Sequence, residues 1–231
     1  MSHKLTRLEH PWPAVLMHGA HLLSFFVLIA TGLAIHAHSN VIGTMQFVRQ
    51  THFIAQFVFI LTTVARIYWA FFGAGSAATG GLVRRRDWRF FGLSGADWKA
   101  LPKWVGYYLF LRKTHPHADK YNPLQKLTYL VLFPLGILVM ALSGFAMFAP
   151  TAGAMAWFAN MFGGLNGVRL MHYLTMWIMI AFFMVHLYLV IVEDPGELSI
   201  MLGRTVPKDL RVPGDYVETP AKATSTAQQK A

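Results

Sequence analysis

Two histidines, His172 and His186, lie in one long apolar segment near the end of the chain. Fourteen residues separate them, so in a helix they are about 21 Å apart along the axis and within about 40° of one face. An imidazole in hydrocarbon is costly unless a partner satisfies it, and ionisable residues inside a membrane are functional candidates. The pair therefore predicts two cofactor sites, stacked along one helix.

Two further histidines can complete these sites. His18 lies near the start of the first apolar segment, and His52 lies at the start of the second. If the segments alternate in direction, His52 is level with His172 and His18 is level with His186. Each pair can present imidazoles to opposite faces of a planar macrocycle, which is how a bundle of helices holds a b-type haem. Packing alone explains a single buried histidine, but it explains four at two matched depths poorly.

His21 is an alternative to His18, because residues three apart share one side of a helix. The chain has no cysteine, which excludes iron–sulfur clusters and thiolate ligation within it. Any redox centre must therefore be held by histidine or methionine, and no methionine lies at a depth that displaces a histidine.

Four apolar segments must position these histidines, at 14–35, 52–72, 126–149 and 169–192. Each is close to the roughly 20 residues that a helix needs to cross a bilayer. The chain has 231 residues, of which 55% are hydrophobic and 13% charged, and this composition fits a small polytopic membrane protein. The first segment is too long for the apolar core of a signal peptide, so we expect it to be retained. The expected fold is an all-α bundle of four transmembrane helices.

The positive charge is concentrated in particular connections. The loop at 36–51 contains only Arg49, and the loop at 150–168 contains no lysine or arginine, whereas the connection at 73–125 and the C-terminal tail are rich in both. Because lysine and arginine favour the cytoplasmic side, both termini and the central connection are expected there. The net charge of +10 therefore indicates topology, not nucleic-acid binding.

The central connection contains an amphipathic pattern. Apolar residues recur at helical spacing between basic ones, at Trp98, Leu101, Trp104, Val105, Tyr108 and Leu109. This pattern predicts a helix in the plane of the membrane interface, with a re-entrant or cytosolic helix as the alternative. We expect residues 1–200 to form one membrane domain and 201–231 to form a partly disordered cytoplasmic tail.

Small and basic residues inside or beside the segments suggest how a flat cofactor fits. Small residues let backbones or a ring approach closely, and they occur at Gly19, Thr31-Gly32, Gly136 and Ser143-Gly144; ordinary helix packing is the alternative. Arg66 near the inner end of the second segment, and Arg49 and Arg169 near the outer surface, are candidates for pairing with haem propionates. Snorkelling arginines need no cofactor, so this role has its own alternative.

A set of motifs occurs in order along the chain. They are HGAHLLSFFVLIATG from His18, HFIAQFVFILTTVARIYWAFFG from His52, YNPLQ from Tyr121, SGF from Ser143, RLMHYLTMW from Arg169 and HLYLVIVED from His186. Together they extend over residues 11–194. The set resembles the cytochrome b subunits of membrane-bound nickel–iron hydrogenases and, more distantly, the gamma subunits of respiratory formate dehydrogenases.

The resemblance implies four helices that hold two b-type haems, with axial ligands at His18, His52, His172 and His186. It favours His18 over His21, because His18 lies at the family's distance before the Thr-Gly pair. These subunits commonly have an aromatic residue beside the first ligand, whereas Met17 and Gly19 flank it here. This departure affects the expected packing around the haem.

In the family, electrons pass from a periplasmic iron–sulfur subunit to the outer haem, cross to the inner haem and reduce quinone near the cytoplasmic face. The resemblance therefore implies a protein of the bacterial inner membrane, in contact with lipid, quinone and the iron–sulfur and catalytic subunits of a hydrogenase or dehydrogenase. The quinone pocket would lie near His18, His186 and residues 121–126. Asn122 could hydrogen-bond a quinone carbonyl there, or it could simply cap the helix that begins at Pro123.

The sequence contains no catalytic triad, carboxylate pair or phosphate-binding loop, so we expect no substrate chemistry beyond electron transfer to quinone. Two alternatives stay open. One is an anchor for a formate or thiosulfate type molybdenum oxidoreductase, although the motifs RIYWAFFG and HLYLVIVED favour the hydrogenase branch. The other is a histidine-lined metal or proton transporter, which the near absence of carboxylates from the segments disfavours.

Overall fold

The computed structural model describes residues 12–73, 88, 92–114, 116, 122–193, 198 and 201–202. Its helices, in chain order, are α1 (Trp12–His36), α2 (Met45–Phe72), α3 (Gly95–Tyr108), α4 (Pro123–Met147), α5 (Ala149–Ala152), α6 (Ala156–Met161) and α7 (Leu165–Glu193). No strand occurs in the described part of the chain. The helices α1, α2, α4 and α7 are long and apolar enough to cross a membrane. The predicted all-α architecture with four membrane-length helices is confirmed.

The second membrane-length helix begins earlier than the sequence suggested. Its predicted start was residue 52, but α2 begins at Met45, because the Thr44 hydroxyl accepts a hydrogen bond from the Phe47 backbone amide and caps it. The mixed polar and apolar residues 45–51 are therefore helical. His52 lies two turns inside α2 rather than at its end.

The four long helices form two closely packed pairs, α1 with α2 and α4 with α7. An apolar cluster joins the pairs at mid-height, built from Phe25, Leu28, Phe59, Phe133, Ile137 and Met179. A second cluster, Ala146, Phe158, Ala159 and Val168, packs α6 against the ends of α4 and α7. The described interior of the bundle therefore contains two separate apolar clusters, with buried hydroxyls such as Ser143 beside them.

Burial in the bundle follows the pattern of a protein dissolved in lipid. Large apolar side chains are exposed on all four long helices, with Leu23, Leu61, Leu135 and Ile178 as one example from each. Small hydroxyl residues are buried instead, with Thr31 4% and Ser143 0% exposed. Membrane helices are held together by small residues and polar contacts rather than by the hydrophobic effect, so this distribution agrees with a multi-pass membrane protein.

The predicted amphipathic helix is present as α3. Ser94 and Asp97 form a capping box at its start, and Trp104 is buried on one face while Trp98 and Val105 are exposed. The described contacts dock α3 onto the start of α4. Lys126 of α4 donates to both carboxylate oxygens of Asp97, at 3.1 Å each.

The helix α4 contains a wider π turn at Thr128–Leu132. Pro134 follows it, and a proline has no backbone N–H and crowds the carbonyl four residues earlier, here that of Leu130. The π turn relieves this conflict without ending the helix. The second half of α4, which carries Ser143, therefore continues into the bundle.

Several expectations concern residues outside the described ranges. They include most of the basic residues of the central connection, Arg84, Arg85, Arg86, Arg89 and Lys120, and the tail from 203 onward. The membrane orientation, the division at residue 200 and the disordered tail accordingly stay predictions.

Candidate functional site

His52 and His172 face each other inside the bundle. Their ring centroids are 6.5 Å apart and their planes meet at 62°. His52 comes from α2 and His172 from α7, so one ring is contributed by each of the two helix pairs. The structure thus brings together two of the four predicted ligands.

A buried hydroxyl holds each of these rings. The Thr31 Oγ1 atom lies 2.8 Å from Nδ1 of His52, and the Ser143 Oγ atom lies 2.7 Å from Nδ1 of His172. Both contacts engage Nδ1, which leaves Nε2 as the ring nitrogen available to another partner. The arrangement repeats across the bundle, because α1 supplies the hydroxyl for α2 and α4 supplies it for α7.

The hydroxyls were missed as site residues at the level of sequence. Thr31 and Ser143 were singled out only as members of the small Thr-Gly and Ser-Gly pairs. A signal was available, because both pairs fall in membrane helices at the depth of His52 and His172. A hydroxyl in hydrocarbon needs a partner as an imidazole does.

The spacing of the two rings suits a metal held between them. With metal–nitrogen bonds of about 2.0–2.1 Å, as in zinc sites, and about 1.1 Å from nitrogen to ring centre, two imidazoles on opposite sides of one metal have centroids about 6.3 Å apart. The observed 6.5 Å agrees with this value. Gly32 lies beside the site, since a Cβ there would be 3.4 Å from Cε1 of His52. The ring spacing, the Nδ1 contacts that leave Nε2 available and the closeness of Gly32 are therefore compatible with a haem held by both histidines.

The other two predicted ligands lie toward the opposite end of the bundle. His36 at the end of α1 stacks on Tyr173 near the start of α7, with ring centroids 4.2 Å apart, so these helices run antiparallel. His18 and His186 are consequently both near the other end, and both are half-buried. The ring of His186 is inclined by 19° to that of Phe182, at a centroid distance of 6.3 Å. The pairing of His18 with His186 stays a prediction.

His21 shares a feature with His52 and His172. Its Nδ1 atom lies 3.1 Å from the Thr62 hydroxyl, and its ring centroid lies 3.8 Å from that of Phe59. Its Nε2 atom is buried and has no hydrogen-bond partner among the described residues. His21 therefore stays a structural alternative to His18 at this end of the bundle.

The candidate propionate partners occupy two levels. Arg66 is half-buried in α2, 14 residues beyond His52, which corresponds to about 21 Å along the helix. Arg169 is exposed, and its Nη1 donates to Oδ1 of Asn166 at 3.0 Å. Arg49 is exposed one turn before His52. Each arginine is thus near the level of one histidine pair.

Asn122, the candidate quinone residue, has two structural partners. Its Oδ1 accepts from the Gln125 backbone amide at 2.8 Å, and its Nδ2 donates to the Tyr108 hydroxyl at 2.9 Å. The residue is 3% exposed. The alternative role as a helix cap is therefore seen directly. One N–H of the amide is left for another acceptor, since an amide carries two.

The small residues do not all serve the same purpose. A Cβ on Gly144 would lie 3.2 Å from Oε1 of Gln56, and one on Gly136 would overlap the sulfur of Met179. These two glycines therefore allow α4 to pack against α2 and α7. A Cβ on Gly19 would meet no described atom within 4 Å, so Gly19 is not a helix-packing position.

Known proteins resemble this chain over almost the whole of its described length. The sequence pattern of the prokaryotic cytochrome b561 family matches residues 9–204. A probable Ni/Fe-hydrogenase B-type cytochrome subunit of Azotobacter vinelandii is 34% identical over 211 residues, covering 83% of this chain and 84% of that protein. The corresponding protein of Rhizobium leguminosarum bv. viciae is 30% identical and covers 79% of each chain. A probable Ni/Fe-hydrogenase 1 B-type cytochrome subunit of Escherichia coli K12 is 27% identical, covering 79% and 81%.

Proposed function

The chain belongs to the prokaryotic cytochrome b561 family, and we propose that it is the membrane cytochrome b subunit of a nickel–iron hydrogenase. In this role it accepts electrons from its partner and passes them across the membrane to quinone. The observation that carries the proposal is the facing pair His52 and His172, each with Nδ1 engaged and Nε2 available. The names of the similar proteins support the hydrogenase branch over a formate or thiosulfate enzyme.

The family implies b-type haem, and we propose two haems in this chain. His52 and His172 would hold one, and His18 and His186 the other. A haem supplies reversible one-electron chemistry at its iron when it is bound. The protein holds the rings of His52 and His172 by their Nδ1 atoms and keeps all four candidate imidazoles partly buried. The two levels are about 21 Å apart along α7, so electrons cross most of the membrane within the bundle.

The proposed orientation places His52 and His172 on the outer side. The loops at that end carry little positive charge and the central connection carries much, which supports cytoplasmic termini and a bacterial inner-membrane location. Electrons would then enter from a periplasmic iron–sulfur subunit that docks at the outer end. The catalytic subunit of the hydrogenase would lie beyond it.

We propose that quinone binds at the inner end, near His18 and His186. Asn122 lies at the start of α4 and keeps one amide N–H that could donate to a quinone carbonyl. The helix α3 would lie in the membrane interface at this end, because its exposed Trp98 and Val105 can enter lipid. Residues 1–200 would form the membrane domain, with a cytoplasmic tail beyond it.

The test is a spectrum and a haem count of the full chain, produced with haem available and extracted from membranes in mild detergent. We expect b-type bands in the reduced-minus-oxidised spectrum, two haems per chain and two midpoint potentials. A preparation without these bands would contradict the function, and one haem per chain would contradict the two-site proposal. Co-purification of a nickel–iron catalytic subunit, rather than a molybdenum enzyme, tests the choice of partner.

A further inference from the structure

The two hydroxyls that hold His52 and His172 are each engaged a second time. Thr31 Oγ1 lies 2.6 Å from the carbonyl oxygen of Val27. Ser143 Oγ lies 2.5 Å from the carbonyl oxygen of Val139. In both cases the carbonyl belongs to the hydroxyl's own helix, four residues earlier. Two oxygens so close need a hydrogen between them, and a carbonyl has none to give.

Counting protons decides the form of each imidazole. A hydroxyl carries one hydrogen, and here it is donated to the carbonyl. Toward the imidazole the hydroxyl oxygen can therefore only accept, so the hydrogen in that contact belongs to Nδ1 of the ring. A neutral imidazole with a hydrogen on Nδ1 carries its lone pair on Nε2.

We infer that Thr31 and Ser143 are positioning residues for a bis-histidine metal site, which set both imidazoles to present the Nε2 lone pair to one metal. The inference rests on the proposed function, because the metal is the haem iron proposed between His52 and His172. Neither hydroxyl contacts the metal; each acts through the ring that it holds. The contact between Thr31 and His52 joins α1 to α2, and the contact between Ser143 and His172 joins α4 to α7. The same arrangement is therefore observed twice, in different helix pairs.

The hydroxyls should also affect the redox properties of the site. An acceptor on the Nδ1 hydrogen makes an imidazole a more basic ligand, and outer partners of this kind typically change metal affinity about 10–100-fold. A more basic ligand favours the ferric over the ferrous iron. Removing the acceptor should therefore raise the midpoint potential. A tenfold loss of ferric relative to ferrous affinity corresponds to about 59 mV for one electron.

The experiment uses the full chain with haem, and compares wild type with Thr31→Val and Ser143→Ala. Thr31→Ser serves as the conservative variant, because it keeps the hydroxyl. Thr63→Val is the matched control, since the Thr63 hydroxyl donates to a carbonyl on its own helix, that of Phe59 at 2.8 Å, in the same membrane environment. The measurements are a potentiometric titration, the ferric EPR spectrum and the haem content.

We expect Thr31→Val and Ser143→Ala each to raise the potential of one of the two haems, by about 59 mV for a tenfold effect, and to shift its EPR signal. The potential of the other haem should not change. In Thr31→Ser and Thr63→Val, the potentials and EPR signals of both haems should match those of wild type. If Thr31→Val loses the haem altogether, recovery in Thr31→Ser supports the inference and failure to recover overturns it. If wild type contains two haems, and neither Thr31→Val nor Ser143→Ala changes a midpoint potential, the inference is overturned and the proposed function is not. Wild-type protein without haem overturns the proposed function.

Discussion

Lys126 at the start of α4 holds both carboxylate oxygens of Asp97 at the start of α3, with nitrogen–oxygen distances of 3.1 Å. The two side chains are 10% and 13% exposed. Asp97 also accepts from the Ser94 backbone amide and hydroxyl, each at 2.7 Å. One carboxylate therefore caps α3 and ties it to α4.

The Asp97 contacts predict a pH dependence of stability. Desolvation raises the pKa of Asp97, but the hydrogen bonds from Ser94 and the charge of Lys126 outweigh it and hold the pKa below its ordinary value. A group whose pKa is lowered on folding stabilises the protein above its unfolded pKa of about 3.9. That contribution should be lost as the pH falls below about 4, which thermal unfolding in detergent at several pH values would measure.

Asp97→Asn should remove this pH dependence and cost about 1.5–3 kcal/mol of unfolding free energy at pH 7, as expected for a hydrogen bond to a charged group. Lys103→Met is a suitable control, because Lys103 is an exposed basic residue on the same helix and should change stability little. Equal effects of the two variants at pH 7 would mean that the pair contributes nothing specific.

Substitutions of Asn122 can separate its two roles. Asn122→Asp keeps an oxygen to cap α4 but removes the amide donor, whereas Asn122→Ala removes both. Loss of the cap in Asn122→Ala should cost about 0.5–2 kcal/mol. If the amide also binds quinone, Asn122→Asp should slow quinone reduction by the reduced haems while haem content is unchanged. Tyr108→Phe is the control, because it removes the acceptor of the existing Nδ2 bond; quinone reduction at the wild-type rate in Asn122→Asp would exclude the quinone role.

Gly32 should be restricted by its closeness to His52. A Cβ at this position would be 3.4 Å from Cε1 of the ring, with the Met176 sulfur at 3.9 Å, so Gly32→Ala should be tolerated and Gly32→Val should displace the imidazole. We expect the valine variant to lose the haem proposed between His52 and His172, which a haem count with optical spectroscopy would show. Gly153→Val is the comparison outside the bundle, since a Cβ there meets no described atom within 4 Å. Retention of both haems in Gly32→Val would contradict the importance of this contact.

The fold was largely predictable because lipid imposes a simple rule. About 20 apolar residues are needed to span a bilayer as a helix, and four such segments stood out. The helix ends were less predictable, since α2 begins two turns before the apolar segment, at the residue that follows the Thr44 cap. The π turn before Pro134 also had no signature beyond the proline itself.

The pairing of two candidate ligands was more predictable than the contacts that support them. His52 and His172 could be paired from depth alone. In helices that alternate in direction, the position of a residue in its segment gives its depth in the membrane. The hydroxyls of Thr31 and Ser143 could not be assigned to those rings, since helix depth does not give the rotation of one helix against another. The position of Asn122 was recognised, but its contact with Tyr108 required the packing of α3 on α4.

Single histidine substitutions test the two-haem proposal and identify the ligand that α1 supplies. His172→Ala should remove the outer haem and leave the inner one, because His186 is about 21 Å away along the same helix. His18→Ala should remove the inner haem and leave the outer one. His21→Ala should keep both, since on this proposal the ring of His21 packs on Phe59 and bonds to Thr62 without binding iron. Haem content, potentials and ferric EPR spectra measure each outcome, with size-exclusion chromatography to verify folding. Loss of the inner haem in His21→Ala, together with its retention in His18→Ala, would reassign the ligand to His21, whose buried Nε2 would then have its partner.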